Sequence, residues 1–237
     1  MILDDILAHK REELAARPQE RFRRMLEKPG LSLVCELKLK SPTHPQPFVT
    51  DPRGLLGDYK KAGVDAISVV TDQKYFGGSV DLVAQARATG LPVLRKDFVL
   101  NPTQITEVAA DALLLIARIL SPKELKHLTE LCLELGIEPV VEINDEAELE
   151  PALKSGAKVI AVNSRDLQAQ KIDLEAGLAL LDQIPNDRLK MFFSGIEAPA
   201  ELAKVKARGA HGVLIGTSIL TAEDRLSKIK ELKEAAR

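Results

Sequence analysis

The stretch "LPVLRKDF", Leu91–Phe98, carries the pattern that decides the fold. Leu91–Leu94 is apolar and short, which suits a buried strand better than a helix. It runs into three charges, Arg95, Lys96 and Asp97, and returns to an apolar Phe98. A strand that ends in charge has either reached water or reached a site.

The same kind of run recurs along the chain. Candidate strands are 31–37 (LSLVCEL), 66–70 (AISVV), 92–97 (PVLRKD), 112–117 (ALLLIA), 138–143 (EPVVEI), 158–163 (KVIAVN), 190–194 (KMFFS) and 212–216 (GVLIG). They are rich in Val, Ile and Leu with little clean alternation, as in parallel strands covered on both faces. Amphipathic stretches lie between them, and several open on Ser, Asp or Asn followed by Pro or acids and close on Gly. "SPKE" predicts a Ser121 N-cap, a proline at the first helical position and Glu124 completing a capping box. Eight strands, each followed by a helix, predict an α/β fold, a (β/α)8 barrel. A doubly wound open sheet is the other fold with this alternation, but no GxGxxG fingerprint accompanies it. The 237 residues suit one barrel domain, with residues 1–30 as an additional N-terminal helical extension.

Composition narrows the function classes. Hydrophobic residues are 45%, charged residues 29% and the formal net charge is -2. No bulk attraction to nucleic acid or to an anionic membrane is expected. No apolar run approaches the roughly 20 residues of a membrane span. The N-terminal stretch is broken early by acids and reads as an amphipathic helix rather than a signal peptide, so a cytoplasmic protein is expected. Cys35 and Cys132 sit in apolar segments and are expected as buried free thiols. There is no CxxC or His/Cys cluster and no Walker A loop, so no metal and no nucleotide site is expected. Nothing in the sequence gives an oligomeric state.

In a barrel the site lies at the C-terminal strand ends. Those ends carry Glu36, Lys38, Lys40 and Ser41, then Thr71 and Asp72, then Lys96 and Asp97, then Arg118, then Glu142, then Asn163, Ser164, Arg165 and Asp166, and finally Ser194 and Gly195, and Gly216, Thr217 and Ser218. One such charge alone is ordinarily just solvated. The set, however, brings lysines and carboxylates to one mouth. "SGI" and "IGTS" close the last two strands, where barrel loops often hold phosphate on backbone N–H groups; ordinary strand-to-helix turning accounts for the same letters. The residues alone therefore suggest a phosphorylated small metabolite and lysine–carboxylate acid–base chemistry.

At these residues the chain resembles the indole-3-glycerol phosphate synthase family. "CELKLKSP", "AISVVTDQKYFGGS", "LPVLRKDF", "VVEINDEAELE", "VNSRDL" and "LIGTSIL" are similar to that family's strand-end motifs, in order and over nearly the whole chain. The resemblance implies ring closure, decarboxylation and dehydration of 1-(2-carboxyphenylamino)-1-deoxyribulose 5-phosphate, without cofactor or metal. It implies Lys96 as general acid, with Lys38, Glu36 and Glu142 as further catalytic groups and Asp97 positioning Lys96. It implies Phe76, Phe98, Leu114, Asn163 and Arg165 as substrate contacts, and Ser41, Ser194, Gly195, Gly216 and Thr217 around the phosphate.

Three features depart from the family pattern. Phe193 stands where the family carries an active-site glutamate, and the register implied by the resemblance turns Phe193 inward and Phe192 outward. The first loop, "SPTHPQPF", lacks the family's Ser and Gly after the proline. The junction "NPTQITEVAADALLL" is about three residues shorter than the family's. A barrel of the same lineage with weakened, lost or redesigned activity, and a non-catalytic phosphate-binding protein, are the alternatives to a working synthase.

Overall fold

The computed structural model describes residues 20–42, 44, 46–166 and 171–237. Eight parallel strands close into a barrel in chain order, with β8 hydrogen-bonded to β1. They are β1 (Ser32–Leu37), β2 (Ala66–Val70), β3 (Val93–Lys96), β4 (Ala112–Ile116), β5 (Glu138–Ile143), β6 (Val159–Asn163), β7 (Leu189–Phe193) and β8 (Gly212–Ile215). All eight match the strands expected from sequence, with ends differing by a residue or so. Closure leaves no edge strand, and every strand is covered on both faces.

Alternation along each strand sorts the side chains into two cores. Val34, Leu94, Leu114, Val140, Ala161, Met191, Phe193 and Leu214 fill the barrel interior. Their neighbours Cys35, Val93, Leu113, Val141, Ile160, Val162, Phe192 and Val213 pack outward against the helices. Phe193 therefore points in and Phe192 points out. Cys35 and Cys132 are both buried and free, and burial pushes both thiols up, which keeps them protonated and inert.

Of the N-terminal extension, residues 1–19 lie outside the described residues. The helix Arg21–Leu26 follows, and it buries Phe22, Met25 and Leu26 in the inner core. Ser32 Oγ donates to Met25 O at 2.9 Å, so this helix stoppers the N-terminal end of the barrel. The opposite mouth is left for a site.

Local sequence explains the helix ends. The capping box of Ser121 and Glu124 forms at the start of Pro122–Glu134. A second, Asn101 with Gln104, opens the shortened junction. The helix there, Pro102–Thr106, runs only five residues. β4 still reaches its register because Asp111 clasps β3: its amide donates to Val93 O at 3.0 Å, and its carboxylate accepts from Val93 N at 2.8 Å.

Candidate active site

The inward alternation of β1, β3, β5 and β6 carries polar side chains to the C-terminal mouth. Glu36 follows Val34, Lys96 follows Leu94, Glu142 follows Val140, and Asn163 follows Ala161. A cavity of about 700 Å³ opens above them.

Glu36 is the hub. Its Oε2 lies 2.9 Å from Lys38 Nζ, and its Oε1 lies 3.9 Å from Lys96 Nζ. Burial, the largest single influence, works to raise its pKa; the ammonium of Lys38, then that of Lys96, with Arg165 more weakly, outweigh it and hold the carboxyl below its ordinary value. Glu142 is the opposite case. It is buried, and burial raises its pKa against the opposing pull of Lys96. Its Oε1 accepts from Asn163 Nδ2 at 3.2 Å, while its Oε2 has no protein partner. Two carboxyls at one mouth are thus driven apart, with Lys96 acting on both.

Arg95 and Asp97 flank Lys96 and face the other way. Arg95 is 2% exposed and lies outside the barrel wall. Its guanidinium donates to Thr71 Oγ1 at 3.1 Å, Asp97 Oδ2 at 2.9 Å and Glu107 Oε2 at 2.7 Å, and also to Gln104 O. Asp97 also accepts from Thr71 Oγ1 at 2.5 Å. This network binds the ends of β2 and β3 to the short helix beyond, fixing the backbone that presents Lys96.

Asn163 is held in place from several sides. Its Oδ1 accepts from Ser194 Oγ at 2.9 Å and from Arg165 N at 3.1 Å. Asn144, which the sequence did not single out, donates to the carbonyls of Asn163 and Arg165 at 2.8 and 2.9 Å. Ser194 has φ 68°, the only positive φ outside glycine among the described residues. Such a strained conformation at a strand end is common at functional sites. Gly195 continues it at φ 71°, and the two turn the backbone at the end of β7.

The cavity wall includes Glu36, Lys38, Ser41, Phe76, Lys96, Asn163, Arg165, Ser194, Gly195, Gly216 and Thr217. Lys38 Nζ is 3.5 Å from Thr217 Oγ1, which spans the space between β1 and β8. Three expected residues stand off the wall. Glu142 reaches the cavity only through Asn163. Leu114 is fully buried in the barrel below it. Phe98 is 38% exposed, with its ring 6.3 Å from that of Phe76. Leu114 ends up low because β4 carries Ile116 one pleat nearer the mouth.

Sequence reading missed His44, Phe48, Glu197 and Lys228, all on the wall, but had Ser218 at the end of β8. Phe48 packs on His44 with centroids 4.4 Å apart and lies 5.3 Å from Lys38 Nζ. His44 and Phe48 fall within the departing loop "SPTHPQPF", the one signal that pointed toward them. Phe193 also lines the cavity, so an aromatic face stands where the family pattern has a carboxylate.

The profile of the family described as indole-3-glycerol phosphate synthase matches residues 3–232. This chain belongs to that family. It is 40% identical over 218 residues to an indole-3-glycerol phosphate synthase of Desulfosudis oleivorans, covering 90% of this chain and 83% of the relative. It is 35% identical to that of Acetivibrio thermocellus, over 98% of this chain and 99% of the relative. Among solved structures, 3-hexulose-6-phosphate synthase from Salmonella typhimurium superposes with a TM-score of 0.70 at 15% identity, over 87% of this chain and 98% of that one. That likeness is one of fold.

Proposed function

We propose that this protein catalyses the reaction for which its family is named, the conversion of 1-(2-carboxyphenylamino)-1-deoxyribulose 5-phosphate to indole-3-glycerol phosphate in tryptophan biosynthesis. The observation that carries the reading is the placement of Lys96 at the mouth with Glu36 and Glu142, two carboxyls shifted in opposite directions. Groups whose environments push their pKa values apart are the usual sign of divided acid and base roles.

Lys96 is the general acid. Its Nζ lies 3.9 Å from the Glu36 carboxylate, at the mouth where the substrate carbonyl would sit. As the ring carbon that bears the carboxylate attacks the ribulose carbonyl, the carbonyl oxygen takes a proton from Lys96. Loss of CO2 then restores the aromatic ring. Dehydration follows: the hydroxyl on the former carbonyl carbon takes a proton from Lys38, held 2.9 Å from Glu36, and leaves as water, while the adjacent carbon of the new ring gives up a proton and the double bond closes. Glu142, buried and held by Asn163, is the base that takes the proton from that adjacent carbon. All of this is proton transfer and charge stabilisation, within reach of side chains alone.

Binding divides along the cavity. Ser41, Ser194, Gly195, Gly216 and Thr217 receive the phosphate, with the backbone amides as donors. Arg165 and Asn163 hold the carboxylate and hydroxyl groups. Phe76 and Phe193 form the wall for the anthranilate ring, with Phe98 backing Phe76 and Leu114 supporting the floor. A charged, phosphorylated substrate does not cross bilayers, which supports a cytoplasmic enzyme.

The test is Lys96→Met, followed by indole-3-glycerol phosphate fluorescence. Turnover should fall at least ~100-fold with the fold intact. Unchanged kcat would remove Lys96 from the acid role, and a parent enzyme that forms no product would remove the assignment altogether.

A further inference from the structure

The cations of the cavity are not equivalent. Lys38 and Lys96 both lie against the carboxyl of Glu36, at 2.9 and 3.9 Å, so their charge is drawn to the β1 side. Lys228 stands apart. It comes from the first turn of the helix Arg225–Ala236 and lines the same cavity with Thr217, Ser218 and Thr221. Its ammonium pairs with Glu231 Oε2 at 3.0 Å, three residues along the same helix, and the two side chains are 22% and 48% exposed. A pair of that kind contributes little and is given up readily for a stronger partner.

A phosphate seated on the amides of Gly195, Gly216 and Thr217 would meet neutral donors. Acids line the same cavity, Glu36 and Glu197 among them. Lys38 reaches Thr217, but at 3.5 Å, and Glu36 already holds it at 2.9 Å. Lys96 is likewise committed to the buried Glu36. Lys228, by contrast, lines the cavity while paired with an exposed carboxylate on its own helix.

We propose that Lys228 is a ligand of the substrate phosphate, held by Glu231 when the site is empty and transferred to the phosphate when substrate binds. This rests on the phosphate placement of the preceding section. It adds a charged, exchangeable donor to a cradle otherwise made of amides and hydroxyls. An ammonium–phosphate hydrogen bond is charge-assisted on both sides, against a solvent-screened carboxylate pair in the resting state.

Calorimetric titration of the full chain with inorganic phosphate tests it. The parent should bind, and Lys228→Met should weaken binding by about tenfold. Lys228→Arg should restore most of the loss. Glu231→Gln leaves Lys228 in place and unheld, so it should bind phosphate at least as tightly as the parent. With the full substrate, Lys228→Met should raise KM by about tenfold and leave kcat within about twofold, the signature of a lost ground-state contact. Parent-like phosphate affinity in Lys228→Met, or weaker binding in Glu231→Gln, overturns the inference and leaves the cradle standing. Thr217→Pro, which removes both the amide N–H and the hydroxyl at the first position of its helix, separates the two ideas: if the parent binds no phosphate, or Thr217→Pro binds it unchanged, the cradle itself is wrong and Lys228 falls with it.

Discussion

Gly216 and Glu36 share one space: a methyl group on Gly216 would overlap the carboxylate against which Lys38 and Lys96 lie. The glycine at the end of β8 is therefore needed by a side chain on β1, in addition to any need of the backbone to approach an anion. Gly216→Ala should push the Glu36 carboxylate aside and loosen Lys38 and Lys96 together. Shifts of about 1 Å at reacting groups cost on the order of 100-fold in rate, so kcat should fall by about 10–100-fold while the melting temperature stays near the parent's. Steady-state kinetics beside a thermal melt checks this, and a folded variant with parental kcat would show that the position of Glu36 is not limiting.

Phe193 faces Asn163 across the β6–β7 pairing and points into the cavity. It adds an apolar wall but cannot accept a hydrogen bond or balance the charges of Lys38 and Lys96. Phe193→Glu should raise kcat/KM. It should also cost stability, on the order of 1–3 kcal/mol, because Phe193 is almost fully buried. Kinetics and denaturation on the same preparation separate the two effects. An equal or lower kcat/KM in the folded variant would show that the aromatic wall serves this chain better than a carboxylate.

Glu138 sets a pH dependence at the other end of the barrel. It is 2% exposed, its Oε1 has no partner, and Arg23 lies 3.9 Å from its Oε2. Burial pushes its pKa up from 4.5 to about 7; Arg23 opposes the rise, and Glu20 and Glu27 add to it. A carboxyl raised in the fold is favoured there in its protonated form. Its cost is absent below the unfolded value, grows as pH rises from 4.5 toward 7, and is complete above that. Glu138→Gln should therefore stabilise the protein by about 2–3 kcal/mol at pH 8 and by little near pH 4.5. Urea denaturation at the two pH values measures it, and an equal gain at both would point to packing instead of ionisation.

How much of this was legible beforehand depends on range along the chain. Period and end signals are local, so the eight strands, the Ser121–Glu124 cap and the barrel order could be read directly. The Lys96 strand end could be read as well, as one charge among three at the end of a strand; which of the three turns inward came from the resemblance and then from the fold. The resemblance supplied roles for strand-end residues and the inward register of Phe193. It named Leu114 and Phe98 as substrate contacts, and neither lines the cavity, since a motif gives a residue's position in a strand without its height in the barrel. It also gave no warning that Asn144 would hold the end of β6.

Local pattern, burial and alternation are properties of a short stretch of chain, and for this protein they determined the closed barrel and which strand ends face its mouth. Tertiary structure decided what those ends do to one another. Glu36 is pulled below its ordinary pKa, against the effect of burial, by a lysine just beyond its own strand and another from β3, and Glu142 is pushed above its ordinary pKa by burial. Lys228 reaches the cavity from a helix that begins after the last strand has closed. Charge–charge and desolvation energies depend on distances between residues far apart in the chain, and those distances exist only once the barrel has closed.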